Sequence, residues 1–388
     1  MTSTDSATEL ACPNCGEAIA SDDAFCESCG HTLRGDAVAA TPDAQPAANV
    51  PTSKGPDATV IVAAPAAATT QSRPSCALCG SEVLDDGFCS NCGAKAASKR
   101  DHWTEQPRPD LAGVCDKGIS HARNEDGMAL AVGGGAEQFS DNRMAIVVCD
   151  GVTTAPESDR ASLAACIDGV NVLLSAPPTP SGNAGPSEAA AVGHWTEQLR
   201  VCAVAANAAA VGIAHSLGDP PEPPSCTFVG AVAVPADDRS STLVAVAWCG
   251  DSRAYWFGDD SDARQLSVDH SLGTEMIASG MTVDEAEAQP TFHTITRWLG
   301  ADSLNPNPEI VTTSVTAPGW LLVCSDGMWN YASSPEELGL VMLAAASALG
   351  PSATPLSIAE SMAAWANEQG GHDNITVVLG RLNDTNAG

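Results

Sequence analysis

Four aspartates at the ends of apolar runs are the feature that most limits how this chain can fold. The runs have β-type composition and lie at 144–149, 242–249, 320–324 and 375–379. The aspartates, which follow the first three runs and precede the fourth, are Asp150, Asp251, Asp326 and Asp373. A buried carboxylate without a partner is costly, so four at strand ends indicate one shared cation site. Oxygen ligands without clustered His or Cys suit hard ions, and we expect Mg²⁺ or Mn²⁺ there.

Each aspartate taken alone has a simpler interpretation. The Asp-Gly pairs at 150–151 and 326–327 are common turns, and the Asp-Asn pair at 373–374 suits a cap. For any one motif the turn interpretation is the better one. Four such motifs in one domain favour the shared site.

The residues around these aspartates have the composition of one large folded domain, which we assign to 110–384. A further β-type run occupies 226–235. Alanine-rich helical stretches lie at about 158–174, 194–217, 334–347 and 355–368. Strand runs that are often adjacent in sequence, mixed with amphipathic helices, indicate an α+β layered domain rather than a strict βαβ repeat.

Eight of the 15 cysteines form two similar clusters near the N-terminus, each with two Cys-x-x-Cys pairs. They are Cys12, Cys15, Cys26 and Cys29, and then Cys76, Cys79, Cys89 and Cys92. Four thiolates at this spacing can wrap one tetrahedral ion, and zinc is the commonest. Disulfides and redox-active thiols remain the alternatives. Both clusters look like bacterial zinc ribbons, so we expect two small four-cysteine zinc ribbons at 10–32 and 75–95, with one Zn²⁺ each.

Two linkers are expected around the ribbons. Residues 33–74 are rich in Ala and Pro, and from 35 onward they contain no Phe, Trp, Tyr or Leu. Such a segment cannot bury enough apolar surface to offset its ordering entropy. We also interpret 96–109 as a linker.

The charge of the chain limits its partners. There are 17 Lys and Arg against 48 Asp and Glu, a net charge of −31. We therefore expect no nucleic-acid and no membrane partner, because phosphate backbones and anionic lipid would repel the chain. The N-terminus has no basic start followed by an apolar region, and the apolar stretches are shorter than the ~20 residues of a membrane span. We expect a cytoplasmic protein in which the seven other cysteines are core residues.

Eight short motifs occur in the order and spacing of one known family. They are SHARNEDG (120–127), VVCDGV (147–152), SCTFVGA (225–231), CGDSRAYWF (249–257), SVDHSLG (267–273), ITRWLGA (295–301), CSDGMW (324–329) and GGHDNITVV (370–378). In this order they resemble the metal-dependent protein phosphatases, the PPM or type 2C class of serine/threonine phosphatases, over about 110–382. The resemblance implies an αββα sandwich, in which two antiparallel sheets carry a dinuclear metal cleft at one end and helices flank them.

The resemblance also implies roles for single residues. Asp150 is similar to the carboxylate that bridges both metals, with the Gly151 carbonyl on the second metal. Asp326 and Asp373 look like ligands of the first metal. Asp251 resembles the family's ligand for a third, weaker metal.

The motif at 120–127 matches the family only in part. Glu125 and Asp126 resemble the pair that holds metal-bound waters. His121 stands where the family usually has a phosphate-binding Arg, and we retain it as a candidate catalytic residue. Arg123, two positions further on, is a second cationic candidate. The alternative that His121 is an ordinary polar loop residue stays open.

Three other features bear on the cleft. The residues at 152–162 replace the usual glycine-rich stretch, and Ser-Cys-Thr at 225–227 stands where Gly-Thr-Thr is usual. Neither change removes a metal carboxylate. His372 is a candidate general acid because it adjoins Asp373, although a surface role is the simpler interpretation.

Together these features predict a Mn²⁺- or Mg²⁺-dependent hydrolase that removes phosphate from phosphoserine and phosphothreonine in proteins. A water activated by two metals needs no protein nucleophile. A cysteine-based phosphatase would need a phosphate-cradling loop with a nearby Arg, which the sequence at Cys324 lacks. Family resemblance implies phosphoprotein substrates that serine/threonine kinases produce, and we expect the ribbons to serve docking or regulation. The alternatives are a pseudophosphatase and a phosphoprotein-binding regulatory module.

Overall fold

The computed structural model describes residues 10–11, 18–19, 75–76, 79–85, 87–93, 96–133, 142–179, 187–237, 239–260 and 262–383. The chain divides into two units, Met1–Ala97 and Ser98–Gly388. Cys12, Cys15, Cys26 and Cys29 of the first predicted ribbon lie outside the described residues, as does the predicted linker at 33–74.

The first unit contains short antiparallel pairings. Strand β1 (Leu10–Ala11) pairs with β2 (Ala18–Ile19). In the second cysteine cluster, isolated bridges join Ser75 to Glu82 and Val83 to Cys89. Cys76, Val83 and Cys89 form a small buried cluster of their own, which is too small a core to stabilise the segment without a bound ion.

The second unit contains the remaining elements. In its first half they are β3 (His102–Arg108), β4 (Leu111–Asp116), β5 (Gly127–Val132), β6 (Met144–Cys149), α1 (Ser158–Ser175), α2 (Glu188–Ser216), β7 (Ser225–Cys226), β8 (Phe228–Pro235) and β9 (Thr242–Cys249). In its second half they are β10 (Arg253–Gly258), β11 (Ala263–Gln265), α3 (Leu272–Ala278), α4 (Val283–Glu287), β12 (Leu299–Gly300), β13 (Glu309–Val315), β14 (Gly319–Cys324), α5 (Asp326–Trp329), α6 (Pro335–Leu349), a 3₁₀ turn (Gly350–Ser352), α7 (Pro355–Glu368) and β15 (Ile375–Leu382).

Two large antiparallel sheets form the centre of this unit. One has six strands in the order β11-β10-β14-β15-β4-β3, and the other has five in the order β13-β9-β8-β6-β5. Apolar side chains between the sheets make one core, and two further cores lie between each sheet and its helices. The layers are α1 and α2, the five-stranded sheet, the six-stranded sheet, and α6 with α7. The predicted α+β class and αββα sandwich are confirmed.

The central strands are apolar throughout because both of their faces are buried. In β6, Ile146 and Val148 face the other sheet, whereas Val147 and Cys149 face α1 and α2. Side chains of a strand alternate between the two faces, so a strand with a core on each side has no polar positions. This explains the unbroken apolar runs in the sequence.

Helix α2 requires a correction to the sequence expectation about membrane spans. Its 29 residues are long and apolar enough to cross a membrane by length and composition. Its buried residues nevertheless recur at three- and four-residue intervals, from Trp195 and Leu199 to Ala214, and belong to the core shared with α1 and the five-stranded sheet. A helix that packs in a core passes the same test of length and composition.

The prediction of a linker at 96–109 is wrong for residues 102–108. They form strand β3, which pairs with β4 from His102 opposite Asp116 to Arg108 opposite Leu111, with an irregularity between Glu105 and Arg108. This strand lies at the edge of the six-stranded sheet, where its side chains alternate between exposed and half-buried positions. An edge strand can be mostly polar, which is why the composition did not distinguish it from a linker.

Strand register brings the ends that carry the aspartates together. Strands β6 and β9 both run antiparallel to β8, so both end at the same edge of their sheet. In the other sheet, Cys324 at the end of β14 pairs with Val377 near the start of β15 and with Arg253 at the start of β10. Residues 250–252 connect β9 directly to β10 and thereby join the two sheets at this end of the sandwich.

Candidate metal centre and catalytic cleft

The four predicted carboxylates lie together at this end of the sandwich. Asp150 follows β6, Asp251 lies in the connection from β9 to β10, Asp326 begins α5, and Asp373 precedes β15. Burial raises the pKa of Asp150 well above its usual range, and the neighbouring carboxylates, including that of Asp326, raise it further. Burial and then Asp373 likewise raise the pKa of Asp326. We call Asp126, Asp150, Asp251, Asp326 and Asp373 the acidic cluster.

Asp126 is the most buried member of the acidic cluster, at 0% exposed. Its Oδ2 atom accepts hydrogen bonds of 2.7 Å from Ser325 Oγ and of 2.7 Å from Thr376 Oγ1. Burial raises the pKa of Asp126 to about 6 even though these two donors oppose the shift. The second oxygen, Oδ1, is buried and accepts no hydrogen bond from the residues that the structure describes, and the same holds for Asp326 Oδ1.

Buried carboxylate oxygens without donors, surrounded by further carboxylates, are where a cation would be favourable. The donor set is made of oxygen, which fits Mg²⁺ or Mn²⁺ better than a soft metal. The residues present therefore fit the divalent ions that the sequence implied. Which residue holds which ion stays a prediction.

The backbone around Asp150 is held by the residues just before strand β8. The Asp150 N–H donates to Thr227 Oγ1 at 3.0 Å, and the Thr227 N–H donates to the Asp150 carbonyl at 2.7 Å. The next residue, Gly151, forms a bridge with Cys226. A side chain at Gly151 would press against the Glu125 carbonyl, so this close approach requires glycine.

Asp326 and Asp373 are positioned by adjacent polar groups. Asn330 Nδ2 donates to Asp326 Oδ2 at 3.2 Å, and the Asn374 N–H donates to Asp373 Oδ1 at 2.7 Å. A side chain at Gly327 would collide with the Asn374 carbonyl, so the segments that carry the two aspartates are in direct contact.

Asp251 is buried at the connection between the sheets, 6% exposed. Burial, followed by the charge of Asp269, raises its pKa to about 7. Trp329 Nε1 donates to the Asp251 carbonyl at 3.0 Å. His270 Nδ1 accepts a hydrogen bond from the Gly250 N–H at 3.1 Å, so His270 stabilises the connection between β9 and β10 that carries Asp251.

Glu125 lies beside the acidic cluster and is almost fully buried. Arg123 Nη2 contacts its Oε1 atom at 2.6 Å, and Ser158 Oγ donates to the same atom at 2.5 Å. Burial acts to raise the pKa of Glu125, but the contacts with His121, Ser158 and Arg123 outweigh it and lower the pKa. Glu125 therefore carries a stabilised negative charge.

The structure brings His121 into the cleft. Its Nε2 atom is 3.3 Å from Asp373 Oδ1, and its Nδ1 atom is 3.8 Å from Glu125 Oε2. The nearby Glu125 carboxylate raises the pKa of His121, against the effect of burial. Arg123 is 44% exposed and also reaches the Ala155 carbonyl. His372 is exposed, and its backbone N–H donates to the Tyr331 hydroxyl; its role as a general acid stays a prediction.

Several polar residues of the site were missed by sequence reasoning. They hold the acidic residues and their loops by hydrogen bonds, and they are Ser158, Thr227, Ser325, Asn374 and Thr376. Three of them stand within three residues of a predicted aspartate, in the segments CSDG and HDNIT. That adjacency was the available signal.

The second cysteine cluster is assembled as the spacing predicted. The Sγ atoms of Cys76, Cys79, Cys89 and Cys92 all lie within 4.8 Å of one another, and Cys79 and Cys89 are 3.4 Å apart. Hydrogen bonds with Ser81 lower the pKa of Cys79 to about 6, which favours the thiolate that binds metal. The four sulfurs fit a tetrahedral Zn²⁺ ion.

The seven other cysteines are buried in the second unit, and none forms a disulfide among the described residues. They are Cys115, Cys149, Cys166, Cys202, Cys226, Cys249 and Cys324. The prediction that they are core residues is confirmed.

Two family models match this chain. Residues 119–365 match the family described as Protein phosphatase 2C, and residues 12–101 match that described as Double zinc ribbon. The first match covers the acidic cluster up to Asp326, and the second covers all eight clustered cysteines.

Curated relatives match a shorter part of the chain. Protein phosphatase PhpP of Streptococcus pneumoniae is 34% identical over 143 residues, which is 36% of this chain and 54% of that protein. Serine/threonine phosphatase stp of Listeria innocua is 33% identical over 141 residues, 36% of this chain and 52% of that protein. The chain thus spans about half the length of the curated relatives it matches.

Solved structures share the fold. A serine/threonine phosphatase of S. agalactiae matches with a TM-score of 0.55 at 21% identity, over 71% of this chain and 98% of that chain. The Mycobacterium tuberculosis serine/threonine phosphatase PstP/Ppp matches with a TM-score of 0.50 at 22% identity, over 70% and 97%. At these identities the likeness supports the αββα fold only.

Proposed function

This chain belongs to the protein phosphatase 2C family, and on that premise we propose that it hydrolyses phosphoserine and phosphothreonine in proteins with bound Mn²⁺ or Mg²⁺. The observation that carries the proposal is the acidic cluster, in which carboxylates from both sheets meet and buried oxygens of Asp126 and Asp326 lack donors among the described residues. A structural protein would gain nothing from crowding like charges at one edge of its core.

The chain's own residues would hold two ions and orient the reactants. Asp150, the Gly151 carbonyl, Asp326 and Asp373 are the proposed ligands, and Asp251 is the proposed ligand of a third ion. When bound, such ions supply Lewis acidity toward water and the phosphoryl oxygens.

Glu125 and Asp126 would orient water at the cleft. Asp126 is held by two hydroxyl donors and Glu125 by Arg123 and Ser158, so neither carboxylate needs to reorganise during turnover.

Arg123 and His121 are the proposed contacts for the substrate phosphate. Arg123 is 44% exposed and is fixed at one end by Glu125, and a guanidinium group matches the geometry of phosphate oxygens. His121 sits between Asp373 and Glu125, where it can balance charge within the cleft. We assign the stronger phosphate contact to Arg123, because its side chain is 44% exposed whereas that of His121 is 17% exposed.

Several expectations from the sequence extend this proposal. Substrates would be phosphoproteins made by serine/threonine kinases, and nucleic acid and membranes would not be partners. The ribbons would serve docking or regulation, and the protein would act in the cytoplasm.

Release of phosphate from a phosphothreonine peptide by the full chain, with and without Mn²⁺, tests the proposed function. We expect Mn²⁺-dependent release that Asp326→Ala abolishes. Asp168→Ala is the matched control because Asp168 is exposed on α1, outside the cluster, and it should retain full activity. Peptide binding without Mn²⁺-dependent release would favour the pseudophosphatase instead.

A further inference from the structure

A groove of about 370 Å³ lies directly beside the acidic cluster. Its lining includes Asp251, Val268, Ile277, Phe292, His293 and Trp329. We call these residues the flanking groove. Val268 precedes α3, Ile277 is in α3, Phe292 and His293 follow α4, and Trp329 ends α5.

Apolar side chains of the flanking groove are accessible to an incoming group. Val268 is 56% exposed and Ile277 is 36% exposed, and both face the same cavity as Phe292. Trp329 is only 3% exposed and is held by its hydrogen bond to the Asp251 carbonyl. Exposed apolar side chains gathered around a concave surface indicate a binding site rather than ordinary surface.

Two charged residues that also line this cavity, Arg253 and Asp269, pair with each other. The guanidinium of Arg253 lies 3.4 Å from the centroid of the Trp329 ring and pairs with Asp269, at 2.6 Å for the shortest contact. It also donates to the Ser333 carbonyl at 2.9 Å. A charged ligand would therefore have to compete with an existing ion pair, whereas an apolar ligand would not.

The groove is continuous with the cleft because Asp251 belongs to both. A phosphorylated residue bound at the acidic cluster would place its neighbours in the sequence within reach of this surface. We infer that the flanking groove binds an apolar side chain close to the phosphorylated residue of a protein substrate. This inference rests on the proposed function and specifies its substrate class.

Phosphothreonine peptides that differ at one position test this inference. In an alanine background, each position from three before to three after the phosphothreonine is replaced in turn by Leu, Phe, Arg or Glu, and kcat/KM is measured with the full chain. We expect Leu or Phe at one position to raise kcat/KM by about tenfold over Ala, the scale at which a hydrophobic pocket discriminates.

Two variants test whether the flanking groove causes that preference. Ile277→Asp and Val268→Asp, on separate segments, should each bring the ratio of Leu to Ala peptide close to one. Leu304→Asp makes the same kind of change at a residue that is 99% exposed and does not line the groove, and it should keep the wild-type ratio. Equal rates for all peptides, a preference for Arg or Glu, or an unchanged ratio in both groove variants would overturn the inference.

A second substrate distinguishes failure of the proposed function from failure of this inference. Hydrolysis of p-nitrophenyl phosphate, which has no flanking side chain, reports on catalysis alone. If that substrate is not hydrolysed, anisotropy of the same labelled peptides with the full chain decides the inference. Tighter binding of the Leu or Phe peptide that Ile277→Asp and Val268→Asp remove would support it, and equal binding of all peptides would contradict it.

Discussion

Thr227 and Asp150 exchange two hydrogen bonds across neighbouring strand ends, one from the Asp150 N–H to the Thr227 hydroxyl and one from the Thr227 N–H to the Asp150 carbonyl. The same hydroxyl lies 2.7 Å from Ser252 Oγ, next to Asp251. Thr227 thus links the segments that carry two members of the acidic cluster. It is the last residue of Ser-Cys-Thr, which stands where the family usually has Gly-Thr-Thr.

Thr227→Val should weaken Mn²⁺ binding while the chain stays folded. The valine has nearly the same shape but leaves the Asp150 N–H and the Ser252 hydroxyl without this partner. Residues that orient metal ligands typically change metal affinity 10–100-fold, and we expect a loss of about that size. Calorimetric titration of the metal-free chain with Mn²⁺ measures it. Thr313→Val, on edge strand β13, is the matched control, and an equal loss there would contradict the assigned role.

Asp150→Asn should stabilise the metal-free chain. Burial and four like charges act against the Asp150 carboxylate, and the amide removes that repulsion. We expect the Tm in EDTA to rise by roughly 2–4 °C for each kcal/mol gained. The rise in Tm on adding Mn²⁺ should shrink in the same variant. A lower Tm in EDTA would mean that Asp150 is stabilised by contacts rather than strained by charge.

Arg100→Met should loosen the segment that contains Glu125 and Asp126. Arg100 Nη2 donates to the Asp126 carbonyl at 2.7 Å, and Asn124 Nδ2 donates to the Arg100 carbonyl at 3.0 Å. We expect faster amide hydrogen exchange at 124–126 and weaker Mn²⁺ binding, because the loop loses its anchor. Arg200→Met, at an exposed position on α2, should leave both unchanged. Unchanged exchange in Arg100→Met would show that the other contacts of this segment, such as those from Asn374 and Thr376, hold it without Arg100.

Cys76→Ala should remove one zinc ion from the chain. Each cluster of four cysteines would bind one ion, so elemental analysis of the wild type should give about two zinc per chain and the variant about one. Cys202→Ala changes a buried cysteine outside the clusters and should leave the zinc content at about two. A wild-type chain without zinc would contradict the ribbon assignment.

Much of the fold was predictable because its core strands have two buried faces. The run at 144–149 is apolar at every position, and it forms β6 with the same bounds. Helices α6 and α7 begin at capping boxes built on Ser334 and Thr354, which are signals that can be read from local sequence.

Edge strands could not be predicted in the same way. The pentapeptide HWTEQ occurs at 102–106, where it is part of β3, and at 194–198, where it is part of α2. The two tryptophans differ in environment, since Trp195 is fully buried in the helical layer whereas Trp103 is half-buried at a sheet edge. Identical local sequence thus adopts either structure, and tertiary packing decides between them.

The sequence indicated which carboxylates lie together in the candidate site, but not which residues hold them in place. Asp150 and Asp326 were indicated by their place after apolar runs. Thr376 in β15 stands only three residues after Asp373, but nothing local indicated that its hydroxyl contacts Asp126, because that contact joins residues 250 positions apart. Likewise, the sequence around Arg253 indicates only a strand residue, and the stacking of its guanidinium on Trp329 is visible only in the folded structure.

The most direct test measures bound Mn²⁺ and released phosphate in the same samples, as Mn²⁺ is added to the metal-free full chain with a phosphothreonine peptide. The account predicts no release in EDTA, and release that rises together with uptake of about two Mn²⁺ per chain. Release that persists in EDTA, or full uptake of Mn²⁺ with no release of phosphate, would contradict it.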